Sequence, residues 1–243
     1  MSAFQATVSF FAPSTTLENV VSGGTLQSFN PSKSWERAQG LDKDGDEAAS
    51  KTHGARSAGA AVFKFFAASG SISLPAPGTV TTDGWHIDSF SLRLSNADWP
   101  ELTLQVHKHE GTRGSHNVGS CRTYTPTLTV TAGFGIVMNS GAIAGTGFTL
   151  SPADTIGVTS LEYGMSVTHL DENGSDGDWL AGENRDGVET LTIQTVGKGA
   201  VTAPSGWDQT SDNKTDSNQA ADTESWEFVH HVQKDGDGSG SGT

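Results

Sequence analysis

The chain has 243 residues, with 14 Lys plus Arg against 28 Asp plus Glu, for a net charge of −14. Apolar residues are 34% and charged residues 17%, and 30 Gly with 56 Ser plus Thr take up much of the remainder. These values exclude a coiled coil, a collagen and a helical membrane protein, and so acidic a chain does not grip nucleic acid by neutralising phosphates.

The 11 Phe, 6 Trp and 2 Tyr are too many for a disordered polymer, and the low charge argues against a helical bundle. Short strands in a polar, Gly-rich frame are expected. Cys121 is the only cysteine, so no internal disulfide can form and the fold must hold by its core or by oligomerisation. The N-terminus, Met1-Ser-Ala-Phe-Gln, lacks a basic region and an apolar run, which predicts neither a signal peptide nor a membrane span. The glycosylation-like triplets at Asn173 and Asn213 therefore carry no weight.

Period-two patterns recur along the chain. In 4–10, Phe4, Ala6, Val8 and Phe10 share one side. Residues 34–60 predict a long loop, either mobile or ordered only against a neighbouring subunit. Ser34-Trp-Glu-Arg-Ala and Asp46-Glu-Ala-Ala-Ser-Lys allow a turn or two of helix at most, because Gly40, Gly45, Gly54 and Gly59 interrupt. Ala61 to Phe66 is apolar on both sides apart from Lys64. In 86–94, Phe90, Leu92 and Leu94 oppose Ser89, Ser91 and Arg93. In 101–109, Leu102, Leu104 and Val106 oppose Thr103, Gln105, His107 and His109. Strands then follow at Tyr124, Leu128 and Val130, at Leu161 to Val167, at Leu191 and Ile193, and at Trp226, Phe228 and His230. Residues 203–223 predict a second long polar loop, and 235–243 a flexible Gly/Ser/Asp tail. The fold class is all-β: one antiparallel sandwich or barrel over 1–234, of about 8–10 strands with at most one short helix.

A faint internal echo links 87–111 to 158–197. Each reads strand, excursion, strand, and each second strand contains Leu-Thr-(Leu/Ile)-Gln, at Leu102 and at Leu191. Two similar hairpins pairing edges in one sandwich would produce it.

Chemistry-bearing patterns are sparse. His107 and His109 alternate with Lys108 and project from one side of a strand, about 7 Å apart, a spacing that can converge on a metal. The third candidate, His116, sits in a Gly-Ser loop and Glu110 faces the other way, so a solvated polar face is the expectation. Asp42-Lys-Asp44-Gly-Asp46 resembles a calcium loop, but its Gly comes early and His53 stands where a bidentate Glu is needed. There is no nucleophile elbow and no phosphate loop. No catalytic residue, cofactor or metal is expected, and the chain reads as a non-enzyme. Asp98-Trp99, Asp178-Trp179 and Trp207-Asp208 fall in predicted loops. Trp beside Asp suits stacking on sugar rings, and suits equally the Trp-rich contacts between subunits. The acidic stretches 171–189 and 208–227 hold −11 of the −14. Candidate contacts for assembly or ligand are thus Trp99, Trp179, Trp207, Asp171, Asp176 and Asp178.

The run Ser95-Asn-Ala-Asp-Trp-Pro-Glu-Leu-Thr-Leu-Gln-Val-His-Lys-His-Glu-Gly, then Cys121-Arg-Thr-Tyr-Thr-Pro-Thr-Leu and Ala132-Gly-Phe-Gly135, resembles virion proteins of tailed phages and prophages. Val158 through Asp186-Gly-Val-Glu-Thr-Leu-Thr-Ile to Gly197 is similar to tail-tube chains. The resemblance covers about half of the chain. It implies a β-sandwich or barrel with one short helix, whose six copies close into rings, stacked as a tube with an acidic lumen through which DNA passes without tight binding. Partners would be further copies and other virion proteins, assembled in a host cytoplasm, with no membrane. The loop 34–60 would reach the next ring, and 171–189 would be a second contact between subunits. The alternative is a carbohydrate-binding sandwich using the loop Trp and Asp pairs.

Overall fold

The structure is a computed structural model. It describes residues 17, 20–41, 43–44, 47–67, 69–109, 123–152, 156–173, 179–215 and 222–232. The fold is all-β: every element named among the described residues is a strand. Among the described residues, no helix is long and apolar enough to cross a membrane. The expected strand at 4–10, Cys121, His116, Asp176, Asp178 and the tail 235–243 lie outside the described residues.

Eight strands make the main sheet: β1 (Thr25–Leu41), β2 (Glu47–Lys64), β4 (His86–Ser95), β5 (Asp98–His109), β11 (Gly157–Asn173), β12 (Trp179–Val196), β14 (Asp208–Thr215) and β15 (Thr223–Val232). Their order is β1-β2-β5-β4-β11-β12-β15-β14 and every pairing is antiparallel. Two small sheets accompany it. One contains β3 (Ser69–Ile72), β6 (Val130–Gly133) and β7 (Gly135–Ile136). The other contains β8 (Met138–Asn139), β9 (Ala142–Ile143), β10 (Thr149–Ser151) and β13 (Ala200–Thr202).

One face of the main sheet is apolar for the reason that the period predicts. Leu92 pairs with Leu102 and Tyr163, Phe90 with Leu104 and Met165, and Leu191 and Ile193 with Phe228 and Trp226. These side chains are buried in one cluster with Ile72, Val130, Phe148, Leu150 and Val201 of the small sheets, so the small sheets close the sandwich on that face. The opposite face presents Ser89, Ser91, Thr103, Gln105, Thr190 and Thr192, together with the cross-strand charge pairs Arg93–Glu162 and Arg93–Glu101. Gly145 lets the second small sheet turn tightly: its φ is +84°, and a Cβ there would stand 2.2 Å from the Thr129 carbonyl oxygen.

The echo between 87–111 and 158–197 corresponds to two hairpins side by side. β4–β5 and β11–β12 meet through β4 and β11, with the Leu-Thr-(Leu/Ile)-Gln strands flanking that pair.

The loop expected at 34–60 is instead a strand hairpin. β1 and β2 pair from Thr25↔Lys64 out to Leu41↔Glu47, whereas β5 supports β2 only over Arg56–Lys64. The short helical turns expected from Ser34 and over 46–51 give way to this ladder at 34–38 and from Glu47 onward. The acidic excursion behaves alike. β11 and β12 pair out to Asn173↔Trp179, but β4 leaves β11 at Ser166↔Ser89. Among the described residues both hairpins thus continue as two-stranded arms, extending roughly 20–30 Å at the usual rise per residue. The polar stretch 203–223 is likewise corrected, since it contains the edge strand β14.

Candidate functional site

The two arms leave the same end of the sheet, and between them lie only β4 and β5. β4 begins there at His86 and β5 ends there at His109. Four imidazoles collect in this fork. His86 and His107 are directly paired across β4 and β5, and their rings stack at 4.8 Å and 13°. His169 of β11 stands 4.5 Å from the His107 ring, centroid to centroid. His109 follows at 5.1 Å from His107 and 5.9 Å from His86. One ring nitrogen each of His86, His107 and His169 lies within 4.8 Å of the other two.

A local irregularity supports this arrangement. The β4–β5 register shifts between Ile87 and Ser89, leaving Asp88 as an extra residue. Its carboxylate accepts a 2.6 Å hydrogen bond from His107 Nδ1 and lies 3.8 Å from Arg56 Nη2. His169 Nδ1 donates to Asn184 Oδ1 at 2.6 Å. Both imidazoles therefore carry a proton on Nδ1, and in the neutral ring Nε2 is the basic nitrogen. His107 is fully buried, and its Nε2 has no hydrogen-bond partner among the described residues. An orphan of that kind costs about 1–3 kcal/mol. Burial, reinforced by His107, His169 and His109, pushes His86 down to about 3. Burial also lowers His107, against the opposing pull of Asp88. These two rings are neutral at pH 7, the form in which imidazole ligates a metal.

The expectation of a solvated polar face at His107 and His109 is thus corrected for His107. Strand parity does place it opposite Leu104 and Val106, but His86 and His169 cover it. His-x-His was visible in the sequence. The partners were not, because they come from separate strands that meet only through the sheet register.

A second polar cluster lies on the core side. Glu189, fully buried, accepts from the Thr127 amide at 2.6 Å, the Thr127 hydroxyl at 2.6 Å and His230 Nδ1 at 2.7 Å, and also from the Tyr163 hydroxyl. It ties the segment before β6 to β11, β12 and β15. Burial, and then Glu189, raises the Tyr163 phenol above its ordinary value of 10. The folded state keeps this proton where the unfolded chain gives it up. Stability is therefore complete below about pH 10 and falls above it, by about 1.4 kcal/mol per pH unit while the two states differ by one proton. Urea midpoints measured from pH 8.5 to 11 are expected to fall less steeply in Tyr163→Phe than in the parent. Parallel curves would refute the assignment to Tyr163.

The six contact candidates divide. Trp99 is in strand β5 rather than in a loop, and it packs edge-on between Phe66 at 5.8 Å and Phe134 at 5.2 Å. Phe66 and Phe134 are 50% and 59% exposed, so this trio is an apolar surface patch. Trp207 is buried against Phe148 at 5.4 Å and stacks on His230. Trp179 and Asp171 belong to the β11–β12 arm, paired with Asn173 and Gly182. Sequence reading missed Trp35 and Leu170, which are 59% and 44% exposed on β1 and β11.

A scan against protein-family models gives no match, and neither does a search of curated proteins. Fold and geometry define an all-β sandwich with two strand-built arms and a histidine cluster at their fork.

Proposed function

We propose that the chain is a structural subunit of a phage-like particle, a tail tube protein whose copies close into rings of six and stack around DNA. The observation that carries this reading is the pair of arms. A two-stranded ribbon is marginally stable in water by itself, and these ribbons extend well past the sandwich that anchors them. Packing against a neighbouring copy is the simplest source of support. The edge strands β1 and β14 of the main sheet offer backbone groups to the same kind of partner. Trp35, Leu170 and the Phe66–Trp99–Phe134 patch are apolar surfaces that a neighbour would cover. The hydroxyl-rich face would line the lumen, and the acidic residues of the arm sequence and of β14–β15 would lend it a field that repels DNA.

Electron microscopy of the purified chain is expected to show rings or tubes at high protein concentration and moderate salt. A variant with residues 36–53 replaced by a two-residue Asn-Gly turn is expected to fold and stay monomeric. Monomers alone from the parent chain, or full assembly by the shortened one, would overturn the reading.

The exposed aromatic trio favours one second reading, a carbohydrate-binding sandwich. Trp99 borders a shallow cleft lined by Arg93, Ser95, Asp98 and Glu101. Glycan binding that Trp99→Ala abolishes would establish it, and a glycan array without hits would dismiss it.

A further inference from the structure

We propose that His86, His107 and His169 bind a divalent transition-metal ion of the zinc class, with His109 closing the fourth position. Three observations converge. The donor set is imidazole only, which suits zinc, cobalt, nickel or copper and not calcium or magnesium. The ring nitrogens already lie within 4.8 Å of one another, so small side-chain rotations bring them to a common centre. His107 and His169 each donate Nδ1–H to an acceptor, Asp88 and Asn184, the outer-shell arrangement that fixes Nε2 toward a metal.

The lone pair of His107 Nε2 decides between a site and an ordinary buried histidine. A histidine kept for packing alone would be expected to turn both nitrogens to partners or to water. His107 instead spends one on Asp88 and keeps the other, fully buried and without a hydrogen-bond partner among the described residues, beside two more imidazoles. A metal ion satisfies that lone pair.

The position gives the ion a structural role. The ligands come from β4, β5 and β11, and they meet where both arms leave the sheet. A bound ion would fix the root of the arms. This inference is independent of assembly: the site lies within one chain and needs no partner.

The test uses the untagged full-length chain, stripped with a chelator and dialysed. Zinc(II) titrated by calorimetry is expected to bind at about one ion per chain, in line with one complete site. Cobalt(II) is expected to give the intense visible absorption of a tetrahedral centre, and either ion to raise the thermal midpoint. His107→Ala is expected to lose these responses while keeping the circular dichroism of a folded sheet. Should His107→Ala fail to fold, His169→Gln decides, because His169 is only half-buried. It is expected to weaken zinc at least 100-fold, and His109→Ala about 10-fold, in the range seen for lost supporting groups. The proposal is overturned if the folded parent chain takes up no zinc or cobalt at micromolar concentrations. It is equally overturned if His107→Ala or His169→Gln binds as the parent does.

Discussion

Replacing Glu189 by Ala is expected to destabilise the protein by about 3–5 kcal/mol, the range for breaking a buried charged network. The carboxylate is fully buried and receives hydrogen bonds from the Thr127 amide and hydroxyl, the Tyr163 hydroxyl and the His230 ring. Truncation leaves all of these donors in the interior with nothing to accept them, and each orphan costs about 1–3 kcal/mol before any relaxation. A domain of this size loses on the order of 10 °C in midpoint for such a change. Glu189→Gln keeps an acceptor oxygen and is expected to lose less. Urea denaturation checks both, and a Glu189→Ala variant within 1 kcal/mol of the parent, on the order of experimental scatter, would show that the network adds nothing.

Phe148→Ala is expected to cost a similar amount, about 3–5 kcal/mol. Phe148 is fully buried between β9 and β10 and meets Phe228 of the main sheet at 5.0 Å and 65°, and Trp207 at 5.4 Å and 77°. Its ring is thus a direct contact between the four-stranded sheet and the eight-stranded one. Removing it opens a cavity lined by aromatic edges that cannot collapse without moving a whole sheet. Phe148→Leu, which keeps most of the volume, is expected to lose less than about 1.5 kcal/mol. Trp207 supplies a spectroscopic check, since its emission should move to longer wavelength in Phe148→Ala as water gains access. Equal stability of the Ala and Leu variants would contradict this account.

The parts of the fold that the sequence made legible are those with one wet and one dry face. Phe90, Leu92 and Leu94, then Leu102, Leu104 and Val106, alternate because the small sheets cover only one side of β4 and β5. The arms lack that cause. Beyond Arg56 and Ser166 no third strand continues beside them among the described residues, so no period-two signal is required, and 34–60 read as a loop. Strands of two or three residues, such as β7 to β10, are too short to show any period. Trp207 looked exposed because it follows Pro204, Ser205 and Gly206, a turn signal, yet the turn folds its ring inward over Phe148. The histidine cluster was half legible. His107 and His109 announced themselves by spacing, whereas His86 and His169 are joined to them only by antiparallel register and the extra residue at Asp88.

The fork has a width as well as a floor. β2 and β11 are separated by two strands, so the gap between the arms is three strand spacings, about 14 Å. Among the described residues, the sheet at that end lacks the two strands that would bridge it. An arm is itself two strands wide. Among the described residues, arm and gap thus share one gauge, two strands.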